Sequence, residues 1–207
     1  MPVSIHNIIF VLGGPGSGKG TQCTLLSAQR NLKHLSIGDI LRTEQQNRSS
    51  VWATIIKVNI SNGLIGSKEM TVGLLKDAML KHEEMEPGTR GFLVDGFPRT
   101  LDRAKYFEET IEEPLAVVVL QCPEGIMRDR LKVRAEMLGR VDDNDLAIQK
   151  RLDTFSNETQ EVINHYEKRK LLINVDGSGS KEDVQARFAA AVDMALARTK
   201  SNSSQKG

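Results

Sequence analysis

Short apolar runs alternate along this chain with longer stretches whose apolar residues recur at helical spacing. The runs have the length of single β-strands and lie at 8–12, 34–35, 92–94, 115–120 and 171–175. The helical stretches lie at 19–29, 72–80, 126–138, 146–166 and 184–196. Strands joined by helices of about ten or more residues are typical of βαβ units. We therefore predict a three-layer α/β/α fold around a central parallel sheet of about five strands, with right-handed crossovers.

Two segments interrupt this alternation. Residues 39–66 have helical character without a strand and end near the turn signal Ser61-Asn62-Gly63, whereas residues 133–143 are polar and rich in arginine. In open α/β sheets, ligands bind beyond the carboxyl ends of the strands, where such insertions can close over a substrate. We predict a helical insert at 36–66 and a short lid at 133–143, both on one domain that spans residues 1–207.

Composition narrows the class of protein. The 207 residues include 39% hydrophobic ones, and 28 Lys and Arg against 27 Asp and Glu leave a formal charge of +1. This balance lacks the excess of basic charge that nucleic acids and membrane surfaces attract, and no apolar run reaches the length of about 18 residues that a membrane helix needs. The two cysteines, Cys23 and Cys122, fit neither a disulfide framework nor a zinc cluster. We expect a cytoplasmic monomer that binds neither nucleic acid nor membrane, with a disordered tail at 199–207.

A glycine-rich loop follows the first apolar run. Its sequence, GGPGSGKGT at 13–21, matches the pattern G-x-x-x-x-G-K, with Lys19 in the fixed position. Glycines let successive backbone N–H groups point at phosphate oxygens, and the helix that follows adds the positive end of its dipole. Gly20 occupies the position where a Ser or Thr usually helps to hold Mg²⁺, and Thr21 follows it. We therefore predict a phosphate site without a direct protein ligand to the metal, and we disfavour a merely flexible turn.

Another apolar run, Phe92-Leu93-Val94, ends in the carboxylate of Asp95. In phosphate-loop folds, an aspartate at such a strand end faces the phosphate-bound magnesium, directly or through water. We predict this position for Asp95. The alternative is a turn-initiating aspartate before Gly96.

Arginines concentrate in the predicted insertions and at strand ends. Phosphoryl transfer needs positioning and positive charge, and the planar guanidinium group binds a phosphate in bidentate fashion. Arg130 and Arg134 are four residues apart, so they share one face of a helix. Each arginine alone could be a solvated surface residue, but six of them in one chain with a phosphate loop favour nucleotide chemistry: Arg42, Arg99, Arg130, Arg134, Arg140 and Arg151.

Four linked motifs resemble those of adenylate kinases and the closely related UMP/CMP kinases. They are GGPGSGKGTQ (13–22), HLSIGDILR (34–42), LVDGFPRT (93–100) and GRVDDN (139–144), in the family's order and spacing from about residue 8 to residue 184. The resemblance implies a phosphate-loop kinase with an insert that binds the nucleoside monophosphate and a short lid. It also implies reversible transfer of the terminal phosphoryl group of MgATP to a nucleoside monophosphate. No general base is required, because the acceptor phosphate is already anionic.

The resemblance assigns roles to individual residues. The implied ATP site comprises Gly16, Ser17, Gly18, Lys19, Gly20, Thr21, Arg130, Arg134 and Gly179. The implied acceptor site comprises Ile37, Arg42, Leu64, Ile65, Gly66, Gly96, Phe97, Pro98, Arg99, Arg103, Arg140 and Arg151. The implied catalytic residues are Lys19, Asp95, Arg99, Arg134, Arg140 and Arg151. Mg²⁺ is expected to be held mainly by phosphates and water, with Asp95 acting through water.

The positions that read the acceptor base depart from both family patterns. Adenylate kinases usually have threonine where this chain has Ile37, and glutamine where it has Arg103. UMP/CMP kinases tend to have asparagine where this chain has Thr100. The other residues of these motifs, together with the region 134–168, favour AMP as the acceptor, with UMP or CMP as the alternative.

Two other classes of protein compete with this interpretation. A phosphate-loop switch or motor nucleotidase is disfavoured, because neither an NKxD guanine-binding motif nor an LSGGQ stretch occurs. A nucleotide-binding regulatory protein without turnover stays open because of Ile37 and Arg103.

Overall fold

The sheet has five parallel strands in the part of the chain that the computed structural model describes, residues 7–62, 64, 66–138 and 145–203. They are β1 (Ile8–Leu12), β2 (Lys33–Ser36), β3 (Phe92–Asp95), β4 (Ala116–Gln121) and β5 (Leu172–Asp176). Their spatial order is β2-β3-β1-β4-β5, and every neighbouring pair is parallel. The predicted fold class is therefore confirmed. The order also places the carboxyl end of β1 between those of β3 and β4, where ligands of such sheets bind.

Helices cover both faces of the sheet. They are α1 (Lys19–Arg30), α2 (Ile37–Glu44), α3 (Ala53–Ser61), α4 (Lys68–Met85), α5 (Leu101–Thr110), α6 (Glu124–Leu138), α7 (Asp145–Thr154), α8 (Gln160–Lys168) and α9 (Lys181–Ser203). A single π-helical turn, Phe155–Thr159, joins α7 to α8. No helix among the described residues has both the length and the apolar character to cross a membrane.

The two faces of the sheet explain why its three inner strands, β1, β3 and β4, are almost wholly apolar. Ile8, Phe10 and Leu12 of β1 pack into one buried cluster, whereas Ile9 and Val11 pack into another on the opposite face. A strand covered by helices on both sides has no solvent face, so its sequence is a continuous apolar run rather than an alternating one. The edge strands β2 and β5 are only partly buried and contain polar residues, yet each still overlaps a predicted apolar run.

Helix boundaries and two segments differ from the predictions in detail. α4 begins at Lys68, well before the predicted stretch, because the side chain of Ser67 caps it by accepting from the backbone N–H of Met70. The stretch predicted as one helix at 146–166 contains the π-helical turn. α9 continues to Ser203, past position 199 where a disordered tail is predicted to begin. The predicted lid starts on the last turns of α6, and residues 139–144 lie outside the described residues.

Candidate active site

The loop between β1 and α1 turns where only glycine fits. Gly16 has a φ of +82°, and a Cβ atom on it would lie 2.4 Å from the carbonyl oxygen of Met127 in α6. Gly18, with a φ of +97°, occupies the N-cap position of α1. Residues that carry a side chain rarely adopt these backbone angles. The two glycines therefore permit both the turn and the close packing against α6. The loop and the first residues of α1 line a large cleft at this end of the sheet.

Lys19 folds its side chain back over this loop. Its Nζ donates hydrogen bonds to the carbonyl oxygens of Gly13 and Gly14 at 2.7 and 2.9 Å. Burial lowers the pKa of Lys19 to about 8; the nearby carboxylate of Asp95 opposes this shift, while Arg151 and Arg99 add to it. The electrostatic coupling shows that these three side chains share one environment with the loop lysine.

Asp95 lies beside the loop at the carboxyl end of β3. Its register with Val11 of the adjacent β1 brings the carboxylate next to α1, and a Cβ atom on Gly20 would lie 3.3 Å from Asp95 Oδ2. His34 Nε2 lies 3.5 Å from the same oxygen. Asp95 is only 8% exposed, so its carboxylate is directed into the site rather than into solvent. This placement fits the predicted role near phosphate-bound magnesium.

The cleft has a volume of about 750 Å³ and is lined by cationic side chains from several elements. The arginines on its wall come from α2, the loop after β3, α6 and α7; they are Arg42, Arg99, Arg130, Arg134 and Arg151. Arg130 and Arg134 line it together, as their shared helical face predicts. Five arginines and Lys19 around one cavity make a strongly positive site, which suits the phosphate groups of nucleotides.

Protein oxygens hold some of these guanidinium groups. Arg42 Nη2 donates to Asp39 Oδ1 at 2.6 Å, and Arg99 Nε lies 3.5 Å from the carbonyl oxygen of Gly96. The carbonyl oxygen of Arg99 itself accepts a hydrogen bond of 3.0 Å from the hydroxyl of Thr159 in the π-helical turn. That turn therefore fixes the backbone that carries Arg99.

Arg130 lies against the back of the phosphate loop. Its Nη1 is 3.3 Å from the carbonyl oxygens of Ser17 and Gly177 and 3.7 Å from Cys122 Sγ. These contacts tie α6 to the loop after β4 and to the loop after β5. Arg130 thus reaches the predicted ATP side of the cleft.

A second, smaller cavity of about 150 Å³ opens beyond Arg99. It lies between the end of α3, the start of α5 and the π-helical turn. Leu64, Gly66 and Arg103, all predicted around the acceptor, line it. Arg99 lines both cavities, so it stands between the cleft and this pocket.

The structure brings most of the predicted site residues to these two cavities, but not all. The ring of Phe97 is fully buried in the core against Phe10 and Phe107, with ring centroids 5.7 and 5.3 Å away, so its side chain does not line either cavity. Gly179 and Ser17 are also absent from the cavity walls, although the Ser17 hydroxyl is 3.4 Å from Lys19 Nζ. Ile37 lines the cleft while packing into the core. The predicted Ile65 and Arg140 lie outside the described residues.

Several polar residues line the site although the sequence analysis did not single them out, and four of them have contacts or positions that bear on its chemistry. His34 touches Asp95, Thr159 holds Arg99, and Lys181 and Glu158 line the cleft and the smaller pocket respectively. His34 precedes the end of β2, next to β3, so its position at the ligand-binding edge of the sheet was a usable signal. Nothing in the local sequence marks the other three.

Comparison with known proteins gives the same family throughout. The family model described as adenylate kinase matches residues 11–171. The chain belongs to the adenylate kinase family. Relatives include a UMP-CMP kinase from Lentinula edodes, 42% identical over 89% of this chain and 85% of its own length. An adenylate kinase isoenzyme 1 from Caenorhabditis elegans is 40% identical over 92% and 90%, and a uridylate kinase from Saccharomyces cerevisiae is 42% identical over 86% of each chain.

This adenylate kinase family member is therefore a phosphotransferase of the nucleoside monophosphate kinase type. Its geometry agrees with that chemistry, since a phosphate loop, an adjacent carboxylate and a ring of arginines face one cleft. The relatives carry different names at nearly equal identity, so their names do not indicate which base the acceptor carries. The residues of the acceptor pocket have to be considered instead.

Proposed function

We propose that this chain catalyses the reversible transfer of the terminal phosphoryl group of MgATP to a nucleoside monophosphate. The observation that carries this proposal is the cleft that Lys19, Asp95, Arg99 and Arg151 line together, with a second pocket opening beside Arg99. AMP is the acceptor that the sequence predicts. UMP or CMP is the second candidate, and it is supported by the acceptor pocket, where Arg103 offers only hydrogen-bond donors.

The cationic side chains supply the electrostatic part of the reaction. The phosphoryl group in transfer and its two neighbours carry negative charge, and fixed positive groups stabilise that charge without reorganising during the reaction. On this proposal Lys19 and Arg134 bind the ATP phosphates, Arg42 and Arg99 bind the acceptor phosphate, and Arg151 lies between the two. The anionic acceptor oxygen attacks directly, so no side chain has to remove a proton.

Magnesium enters this proposal as part of the substrate MgATP. Within the residues that the structure describes, no group of three His, Cys, Asp or Glu side chains could hold a metal ion by itself. The single buried carboxylate of Asp95 beside the loop fits an ion held mainly by phosphates, with Asp95 binding one of its waters. Bound with ATP, the ion would neutralise negative charge on the phosphates, with Asp95 as the nearby carboxylate.

Closure of the insert at 36–66 and the lid at 133–143 is part of the proposed mechanism. Arg42 on α2 and Arg134 on α6 already face the cleft from these two segments. Closing them over both nucleotides would exclude water and suppress hydrolysis of ATP.

We further propose that the protein acts as a cytoplasmic monomer and binds neither nucleic acid nor membrane. Its formal charge of +1 supports the absence of polyanion binding. Cys23 and Cys122 are free thiols, which suits a reducing compartment. Light scattering of the purified chain tests the predicted monomer.

A coupled assay of ADP formation tests the proposed function. Purified protein with MgATP is given AMP, UMP, CMP or no acceptor, and we expect ADP to form only when an acceptor is present. Hydrolysis of ATP that is independent of the acceptor would favour a nucleotidase. Binding of nucleotides without any turnover would favour a regulatory protein.

A further inference from the structure

The start of α9 forms part of the wall of the large cleft. Lys181, the first residue of this helix, lines the cleft together with Thr21 at the start of α1 and Arg130 of α6. Its side chain is exposed to the open space of the cleft. Lys181 therefore adds a further cation to the five arginines and Lys19, and the proposed reaction has given it no role so far.

The backbone of Lys181 is fixed against α1. Its carbonyl oxygen lies 3.3 Å from Nε2 of Gln22, which is 3% exposed and follows Thr21 in the first turn of α1. Directly before Lys181, the hydroxyl of Ser180 caps α9 by accepting from the backbone N–H of Asp183 at 3.1 Å. The side chain of Lys181 therefore starts from a defined point close to Thr21.

The loop that leads from β5 to Lys181 is held in place as well. Arg187 Nε donates to the carbonyl oxygen of Asp176 at 3.1 Å, and the carboxylate of Asp176 accepts from the backbone N–H of Ser178 at 2.9 Å. A residue on such a fixed segment loses little backbone freedom when a ligand binds, so its contact with that ligand costs less entropy.

The ammonium group of Lys181 has no counter-ion within the protein. Among the residues that the structure describes, no acidic side chain pairs with it and no oxygen accepts a hydrogen bond from it. By contrast, Lys19 and Arg42 on the same cleft already donate to protein oxygens. A cation that faces a cleft and is not neutralised by the protein is available to an anionic ligand.

The order of the strands indicates which nucleotide Lys181 meets. β3, which carries Asp95 and leads to Arg99, lies on one side of β1, whereas β4 and β5 lie on the other. With the acceptor phosphate at Arg99, the rest of ATP extends from the loop toward β5. In a phosphate loop the lysine binds the outer phosphates and the backbone N–H groups hold the inner ones. The inner phosphate of ATP is therefore the anionic group nearest to the start of α9.

We propose that Lys181 is an additional donor-binding residue that donates to the α-phosphate of ATP. This inference rests on the proposed function and adds a residue to its donor site. Lys19 then binds the outer phosphates and Lys181 the inner one. The charge of the α-phosphate does not change during transfer, so Lys181 stabilises the ground state and the transition state equally. It contributes to the affinity for ATP and not to the rate of the chemical step.

Calorimetric titration with a nonhydrolysable analogue of MgATP tests this role. Lys181→Ala should weaken binding by about three- to tenfold, because one charge-assisted contact at an exposed position is lost. Lys181→Arg keeps the charge and should bind within about twofold of the wild type. Lys105→Ala, at an exposed position on α5, is the matched control and should leave the dissociation constant unchanged.

The dependence on salt separates a phosphate contact from packing against the base or ribose. The factor lost in Lys181→Ala should shrink as the salt concentration is raised from about 0.05 to about 0.5 M, because salt screens exposed charges. In steady-state kinetics the same substitution should raise the KM of ATP and leave kcat and the KM of the acceptor unchanged.

Three results would overturn the inference. Unchanged binding in Lys181→Ala would show a solvated surface lysine. A loss of affinity that is the same at both salt concentrations, or that is equally large in Lys181→Arg, would show packing rather than charge. A lower kcat with an unchanged KM for ATP would contradict the assignment to the inner phosphate. If the analogue binds but no acceptor supports turnover in the wild type, the proposed function fails, and the titrations still decide the role of Lys181 in binding.

Discussion

At the scale of single residues, the position of Lys19 is set by the fold of the phosphate loop, and this position puts its charge where the proposed reaction needs it. The glycine loop brings its ammonium group onto the carbonyl oxygens of Gly13 and Gly14. In the same place it lies in the field of Asp95, Arg99 and Arg151. Phosphate oxygens would replace the carbonyl oxygens as its partners when ATP binds.

Lys19→Met should lower kcat by about 10²–10³-fold, because it removes a fixed positive charge at the transferred group while keeping the length of the side chain. The fold should survive, since a buried charge is replaced by an apolar group. Steady-state kinetics and thermal unfolding measure both effects, with the exposed Lys57→Met as control. Activity close to that of the wild type would refute the role of Lys19.

The pKa of Lys19 predicts a pH dependence. Burial lowers it from an ordinary value of 10.5 to about 8, so the free enzyme loses this charge as the pH rises through about 8. We expect kcat/KM for MgATP to fall above that pH, whereas kcat at saturating MgATP should persist to higher pH because bound phosphates favour the charged lysine.

The effect of the same shift on stability has the opposite sign. Between pH 8 and 10.5 the unfolded chain binds more protons at Lys19 than the folded chain does, so this residue's contribution to stability rises with pH.

The kinetic prediction has a clear contrary outcome. If kcat at saturating MgATP declined at the same pH as kcat/KM, the assignment of the pKa of about 8 to Lys19 in the free enzyme would be contradicted.

Arg99→Ala should raise the KM of the acceptor by about 10- to 100-fold and leave the KM of ATP nearly unchanged. The reason is the loss of charge-assisted hydrogen bonds, each of which contributes about 1.5–3 kcal/mol. Initial rates with each substrate varied in turn give both constants. Arg90→Ala, at an exposed position, is the control. An unchanged KM for the acceptor would reject the role of Arg99.

Single residues also show where sequence reasoning stops. The spacing of the motif placed Phe97 at the acceptor, but its ring packs in the core against Phe10 and Phe107. A motif tells which loop is near a ligand, whereas the direction of each side chain depends on the backbone of that loop. The hydrogen bond from Arg103 to the carbonyl oxygen of Gly66 was equally hidden, because Gly66 lies 37 positions away in sequence.

At the scale of secondary structure, strands were predictable and the π-helical turn was not. Burial on both faces leaves a continuous apolar signal in the inner strands β1, β3 and β4. The turn at Phe155–Thr159 is stabilised by contacts distant in sequence, including the bond from Thr159 to the carbonyl oxygen of Arg99, 60 positions away. A contact between residues so far apart in sequence cannot be predicted from the conformational preferences of the local sequence.

Two helices that support the site are joined by a polar cluster. Glu108 of α5 accepts a hydrogen bond of 2.8 Å from the hydroxyl of Tyr166 in α8, and Arg169 Nη1 donates to both of its carboxylate oxygens at 2.8 and 3.0 Å. Burial, together with Glu108, raises the pKa of Tyr166, so the hydroxyl remains a donor. The cluster fixes α8 and the π-helical turn before it.

Glu108→Ala should lower the free energy of unfolding by about 2–3 kcal/mol, because it leaves the buried tyrosine hydroxyl and Arg169 without this acceptor. Denaturation by urea measures the change. Glu109→Ala, the exposed neighbour on the same helix, should change the value by less than about 0.5 kcal/mol. Equal effects of the two substitutions would contradict the importance of the cluster.

At the scale of the whole molecule, the order of the strands assembles the site. Because β1 lies between β3 and β4, the phosphate loop, Asp95 and the start of α6 meet at one end of the sheet although they are far apart in sequence. The sequence predicted this convergence through the rule that parallel strands present their carboxyl ends together. It could not predict the shape of the acceptor pocket, which three separate segments form.

The most direct test of the account is a crystal structure with a bisubstrate analogue, in which a polyphosphate chain joins two nucleosides. We predict that Lys19 leaves the carbonyl oxygens of its loop for the polyphosphate, and that Arg42, Arg99, Arg134 and Arg151 all donate to phosphate oxygens. Guanidinium groups that point into solvent, away from the bound phosphates, would contradict the account.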